Sequence, residues 1–544
     1  MSAAHILLVA TLAGPLVLLG AWTAPAFRPR VPGLLWLAPL PGLAAALLAA
    51  GTTPLVLDPS RLRFTLLLDE PSALLLGACA LLWSAAGFYA RAWLGNDAKA
   101  QRFAGWWLIT QAGSLGVFLA GDLISFYLLF AAVSLPAYGL IAHDGTEKAR
   151  SAAAITLLLA VLGEVALLLG FVLLADAVPG PSLAIADAMA AVRQGKAPDI
   201  ALALVIAGFG LKAGLVPLHV WLPLAHPAAP MPASAVLSGA IVKAGIVGLL
   251  RFLPVELGEA GWGQVLVAIG FATAFWGVVC GVVQRNPKTV LAYSTISQMG
   301  LAVAAFGMGL ATGQAGAAMA VAFMAGCHVL AKGALFLGVG VAAGCEGRRR
   351  LLLVLLPALV LALGFGGAPL TGGSLAKAAT KDLFGHGAAA VLAFFSAAGS
   401  TALMLSFVAR LAASEPYKPA VAPQLILTWL GLAAASIALP WLLYAPSGLG
   451  DAAATLTVQE IVKAVRPMLF GLAFAALLRL WSDRLPDIPE GDLLHPVQRL
   501  ITFKRSLGAR IEDAEAVLRA WPAAGLALLL IGAAFAVALW TGAS

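Results

Sequence analysis

Lys212, in VIAGFGLKAGLVP, and Lys243, in LSGAIVKAGIVGLL, each lie in the middle of a hydrophobic run. A cation at the centre of a bilayer costs at least ~2.5–3.5 kcal/mol, so such a residue faces a polar cavity or a partner. A lysine in a low-dielectric site can bind and release a proton near neutrality. The plainer reading of Lys212 is a cation snorkelling to an interface. Against it stands the adjacent break, where Pro217, Pro223, Pro227, Pro230 and Pro232 remove backbone donors between the two lysines. Broken backbone at membrane depth survives only inside protein or along water. A lysine, a helix break and a second lysine therefore describe the midpoint of an ion path.

Other titratable residues extend the set. His328 and Lys332, in MAGCHVLAKGALFLG, are four residues apart and share one helix face. With no acid nearby in sequence, they read as a proton relay rather than an ion pair. A lone buried histidine would read instead as a satisfied core residue. Lys377 and Lys381, in PLTGGSLAKAATKDLF, stack one turn apart; Lys381 precedes Asp382 and is expected to pair near the outer surface. Lys377 is the better candidate for the path, and Lys381 a possible relay. His219 and His226 flank Trp221 in the broken segment, where hydrogen bonding to freed backbone and proton transfer are equal readings. Glu164, in LLLAVLGEVALLLGF, is the carboxylate centred in a span. Beside a lysine from another helix it would exchange charge as a proton moves. Lys212 is its expected partner, whereas Asp122, at a span boundary, reads as interfacial.

The elements that hold these residues are membrane helices. Of 544 residues, 61% are hydrophobic and 11% charged, and the mean hydropathy is +0.97, which excludes a soluble globular protein. Expected spans are 5–22, 33–50, 71–94, 104–120, 122–141, 151–175, 200–217, 231–253, 262–283, 288–310 and 315–343. Further spans are 351–388 (broken near Pro369), 389–412, 423–446, 457–481 and 521–541. A span broken at Pro217 beside Lys212 in one half and at 369–373 beside Lys377 in the other is the pattern of a transporter's binding path.

The net charge of +8 suggests an anionic partner such as nucleic acid. Its placement explains it otherwise. With the N-terminus outside and alternating spans, about 21 of the 33 Lys and Arg fall on the cytoplasmic side of an inner membrane. The first run lacks a basic leader and is followed by Arg28 and Arg30, so it reads as a retained span rather than a signal peptide. The four cysteines are scattered without a CxxC pair, and no nucleotide, flavin or zinc motif is found, so no cofactor or metal site is expected. Residues 51–70 alternate as in RLRFTLLLD and read as an outer hairpin. Residues 485–519 mix both charge signs on an apolar background. They read as an amphipathic helix on the cytoplasmic surface or against a partner protein, or more plainly as a solvated linker.

Three segments carry a resemblance to a known family: LKAGLVPLHVWLPLAHPAAPMPASAVLSGAIVKAGIVGLLRF, NPKTVLAYSTISQMG and CHVLAKGALFLG, in that order. They resemble the antiporter-like subunits of respiratory complex I, membrane-bound hydrogenases and Mrp-type cation/proton antiporters, over roughly 69–410. The resemblance implies an all-α polytopic membrane protein. About fourteen core transmembrane helices would form two inverted five-helix repeats with broken helices, followed by extra C-terminal helices. It also implies half-channels joined by a central lysine. By position, Lys212 resembles the pumping lysine of the first repeat and Lys243 the connecting one. His328 and Lys332 resemble the relay, and Lys377 the terminal lysine. The family's pattern DLLxFxxFWELMSLPxY falls on DLISFYLLFAAVSLPAY, with Ala131 at the glutamate position. Gln298 stands where many members have histidine. Either Glu164 replaces the lost carboxylate or the first half no longer pumps.

Organisation is expected as 1–103 (N-terminal helices and outer hairpin), 104–253 (first half-channel), 254–412 (second half-channel) and 413–484 (C-terminal helices). The amphipathic segment, 485–520, and a final helix, 521–544, complete it. The first functional reading is a proton-translocating subunit of a larger complex I-like, hydrogenase-like or antiporter assembly, with other membrane subunits as partners. Without a redox centre of its own, it would be a translocase subunit only within a quinone-reducing complex. The rival is a non-pumping membrane mount for a carbon-uptake or redox protein. Transport of Na⁺ is a third reading, though no span offers a cluster of oxygen ligands.

Overall fold

The computed structural model describes residues 2–57, 64–95, 97–415, 421–481, 484–486 and 488–492, together with Gly532. The backbone is overwhelmingly helical, because in hydrocarbon each amide and carbonyl must be satisfied within its own segment. The Ser2 hydroxyl caps α1 (Ala3–Thr23) by accepting from the His5 amide. The next apolar stretch does not cross as one helix, which corrects the expected span over 33–50. Arg28–Gly33 is a 3-10 turn, and α2 (Leu40–Leu48) has nine residues. Pro32, Pro39 and Pro41 remove amides that a continuous helix would need. Within 51–70, β1 (Leu55–Leu57) pairs antiparallel with β2 (Phe64–Leu66), the expected hairpin.

Five helices follow: α3 (Glu70–Leu94), α4 (Ala100–Gly116), α5 (Leu123–Ser134), α6 (Ala137–Ile141) and α7 (Glu147–Ala177). Asp69, Asp122 and Thr146 cap α3, α5 and α7 by accepting an amide of the first turn. Asp122 is 3% exposed and also accepts from the Thr65 amide at 2.6 Å. It is a buried cap that ties the hairpin to α5, not an interfacial charge. After α8 (Ile185–Ala191) come α9 (Pro198–Ala213), α10 (Trp221–Ala228), α11 (Met231–Val236) and α12 (Lys243–Phe252). A π-helical turn, Leu237–Ile241, separates the last two.

The second part holds α13 (Ala260–Val282), α14 (Pro287–Thr312), α15 (Ala317–Ala342), α16 (Gly347–Arg350), α17 (Leu356–Gly366) and α18 (Gly372–Phe384). It ends with α19 (Ala388–Ala413), α20 (Pro423–Leu443) and α21 (Val458–Leu480). Among the described residues, twelve helical segments are long and apolar enough to cross a membrane. The expected amphipathic segment and final helix lie outside the described residues, apart from 485–486, 488–492 and Gly532.

The centre of the bundle is α14 and α15, surrounded on all sides, while α1 and α21 turn most of their surface outward. Helices α13 and α14 approach closest along a stripe of glycines spaced by seven. A Cβ on Gly270 would lie 2.5 Å from the Ala304 amide nitrogen, and one on Gly277 2.7 Å from that of Ser297. Small residues let backbones meet where lipid offers no hydrophobic drive for association. This contact fixes α14, and with it the Leu291 carbonyl, Thr295 and Gln298 that line the interior.

Candidate functional site

In the first half, α9 ends on Gly214, whose φ of 82° suits a residue without a Cβ. The break frees backbone groups that nearby side chains recover. Trp221 Nε1 donates to the Leu211 carbonyl at 2.9 Å, and the Val216 amide donates to Thr273 Oγ1 at 3.0 Å. Lys212 thus sits in the last turn of a half-helix, where the backbone dipole favours a cation. Its amine stands over the Phe130 ring of α5, 5.6 Å from the centroid. Helix α7 packs along α9, with Gly163 and Gly208 at the contact, and this brings Glu164 to the same place. The fully buried Glu164 carboxylate faces Lys212 and Ser134 but bonds directly to neither. The structure therefore brings Glu164 and Lys212 within electrostatic reach without a contact ion pair.

At the centre, the π-helical turn delivers Lys243 to the head of α12, a backbone distortion common at functional sites. The Lys243 amine donates to His328 Nδ1 at 3.0 Å, and the Ser238 carbonyl lies 3.5 Å from it. Lys332, one turn further along α15, donates to the Leu291 carbonyl at 3.0 Å. The Phe365 ring touches both, 4.8 Å from the Lys332 amine and 5.9 Å from the His328 ring. Lys243, His328 and Lys332 are all buried. His328 Nε2 has no protein partner, and an unmet buried polar atom costs ~1–3 kcal/mol unless water meets it.

In the second half, α17 ends on Gly367 at φ 94°. Lys377 lies beyond the break, on α18, and its amine reaches back to donate to the Gly366 carbonyl. In sequence Lys212 precedes its break and Lys377 follows its own. Lys212 belongs to the last turn of α9, and the Lys377 amine bonds the last turn of α17, so each is tied to the C-terminal end of the half-helix before its break. A cavity of about 40 Å³, room for a few waters, is lined by His328, Phe365, Gln298, Thr371 and Lys377. Gln298 donates to Ser400 Oγ at 2.9 Å.

The remaining expected residues lie elsewhere. Lys381 pairs with Glu460 of α21 at 3.0 Å and is half exposed, so it bonds across to another helix rather than to Asp382. His226 is tilted against Phe336, 4.7 Å between ring centroids, with Lys288 and Lys332 as its charged neighbours. His219 is buried and donates to Asp492 Oδ2 at 3.0 Å. Sequence reasoning missed Phe130, Lys288 and Asp492. Lys288 sits in NPKTV at a helix start, where a cation reads as interfacial, yet it is buried and donates to the Ala229 carbonyl. Asp492 carries no local signal, since it meets His219 from 273 positions away.

Known proteins share this outline. A family described as NADH:quinone oxidoreductase/Mrp antiporter, TM matches residues 120–406. Hydrogenase-4 component B of Escherichia coli (strain K12) is 31% identical over 294 residues, covering 51% of this chain and 43% of that protein. A probable K(+)/H(+) antiporter subunit of Rhizobium meliloti (strain 1021) is 31% identical over 329 residues, covering 58% and 32%. The chain spans less than half the length of these curated relatives. The solved Mrp complex from Dietzia sp. superposes with a TM-score of 0.77 at 22% identity, covering 99% of this chain and 63% of the other. A membrane-bound sulfane sulfur reductase, an archaeal respiratory membrane complex, gives 0.68 at 20% identity, covering 88% and 99%. At such identities these two likenesses concern the fold.

Proposed function

This chain belongs to the NADH:quinone oxidoreductase/Mrp antiporter transmembrane family, and from that premise we propose that it is a proton-translocating subunit of a larger membrane assembly. Protons would move by way of Glu164 and Lys212, then Lys243, His328 and Lys332, then the cavity and Lys377. The observation that carries this reading is the buried 3.0 Å contact between Lys243 and His328. Two bases that close favour sharing one proton, so loading either one biases the other. Lys332, one turn away, adds to that bias whenever it holds a proton. The cavity lined by both His328 and Lys377 continues the route into the second half. Amines and imidazoles bind protons, repel cations once protonated, and offer nitrogen rather than the oxygen ligands a hard cation prefers, which favours H⁺ over Na⁺ as the carried ion.

Among the described residues no cluster that could hold a metal offers a driving force, and its relatives are named as components and subunits. Partners that release energy are therefore part of the proposal. The basic residues favour an inner-membrane location with the N-terminus outside. Proton uptake by vesicles holding the complete assembly tests the function. Lys212→Ala and Lys377→Ala should each abolish dye-reported acidification while the assembly stays intact. Wild-type uptake in both variants would overturn it.

A further inference from the structure

The described segment 488–492, beyond α21, crosses back onto the first half and places a carboxylate against its broken helix. Asp492 Oδ2 accepts from His219 Nε2 at 3.0 Å, from Trp276 Nε1 at 2.7 Å and from the Cys280 thiol at 3.5 Å. Neighbouring contacts hold the segment down. Gln284 Nε2 donates to the Ile488 carbonyl at 3.0 Å, Thr289 Oγ1 donates to Glu490 at 2.9 Å, and Lys148 of α7 pairs with Glu490 at 2.7 Å. All of these mark the bundle face where α13 ends and α7 and α14 begin.

His219 is fully buried and the Asp492 side chain is 3% exposed. A buried carboxylate is costly unless it is hydrogen-bonded and paired, so three donors converging on one oxygen make a built site. The other nitrogen of the same imidazole, Nδ1, is buried without a protein partner. The ring thus has one end fixed on a carboxylate and one end free to exchange a proton with the interior. Around the Asp492 carboxylate that holds the ring stand Cys280 of α13 and Tyr293 of α14, while Glu490 of the segment faces Tyr293 and pairs with Lys148 of α7.

The geometry points to Asp492 as the residue that positions and loads His219, making segment 488–492 part of the first half's proton path. This rests on the proton-translocating reading above. A proton held on Nε2 of the imidazolium passes to Asp492 Oδ2, leaving neutral His219. In the reverse direction the carboxylic acid returns it. Trp276 holds the carboxylate in line while this happens.

The test uses the complete assembly in vesicles, with the other three cysteines replaced so that Cys280 alone reports on the segment. Asp492→Asn keeps shape and an acceptor oxygen, so maleimide labelling of Cys280 should stay at the wild-type rate. Proton uptake should fall roughly tenfold or more, with an altered pH profile, and Asp492→Glu should restore much of it. His219→Gln should give the same defect, and the double variant should be no worse than either single one. Wild-type uptake and pH profile in Asp492→Asn, or additive losses in the double variant, would overturn the inference. If Asn loosens the segment and labelling rises, His219→Gln decides instead: the same loss of uptake and altered pH profile with Cys280 labelling at the wild-type rate supports the inference, and wild-type uptake overturns it. Failure of this inference alone leaves Lys212→Ala inactive, whereas failure of the proposed function leaves Lys212→Ala active.

Discussion

The Lys243 amine, at the head of α12 just past a π-helical turn, and His328 Nδ1 of α15 lie 3.0 Å apart. Lys243 points at α15, with the carbonyl of Ser238, inside that turn, 3.5 Å from its amine. The bridge between α12 and α15 is thereby a pair of bases rather than an ion pair.

If this bridge carries protons, His328→Ala should lower proton uptake by roughly tenfold or more, as should Lys243→Gln. Lys243→Arg should not rescue, since an arginine stays charged and cannot relay. Dye-quenching measurements on vesicles of the assembly check this, with subunit content as the control for folding.

Glu164 faces Lys212 from α7, while the helix that would supply a carboxylate at position 131 offers alanine. Glu164→Gln is expected to stop uptake. Adding Ala131→Glu in that background should recover part of it, because α5 already touches Lys212 through Phe130. No loss in the single variant would remove Glu164 from the path.

The glycine stripe between α13 and α14 has a mechanical prediction. Gly270→Leu forces a side chain against the Ala304 backbone and should cost about 1–3 kcal/mol or more, lowering the unfolding midpoint in detergent. Gly431→Ala on α20, where a Cβ meets nothing within 4 Å, should be neutral or slightly stabilising. Equal midpoints for the two variants would contradict the packing account.

Outside the spans, His143 Nε2 and Asp97 Oδ2 share a hydrogen bond at 3.2 Å. Burial pushes His143 below its ordinary value of 6.5, outweighing the nearby carboxylate. The Lys99 amide holds Asp97 below its ordinary 3.8. Both shifts are downward, so the folded state binds fewer protons and the stability these two groups contribute is fully present above pH 6.5. It weakens first as pH falls below 6.5 and again below 3.8. Protection of the 142–146 turn, taken as exchange relative to the intrinsic rate at each pH, should fall between about pH 7 and 5, and His143→Gln should flatten that response.

Hydropathy and proline placement determine a great deal of this protein from sequence. Apolar runs of bilayer length fix the helical spans, and prolines beside Gly214 and Gly367 fix where two of them break. Intramembrane lysines announce themselves because charge in hydrocarbon is costly enough to need a reason. The span over 33–50 misled because composition alone hides the backbone donors lost at Pro32, Pro39 and Pro41. Only the tertiary structure decides which titratable groups touch. Lys243 finds His328 from 85 positions away, Lys381 finds Glu460 rather than its neighbour Asp382, and His219 finds Asp492. Those pairings depend on helix rotation and depth, which are set by packing such as the α13–α14 glycine contact. A linear pattern shows that a charge is buried, but its partner is chosen by whichever helix face is pressed against it.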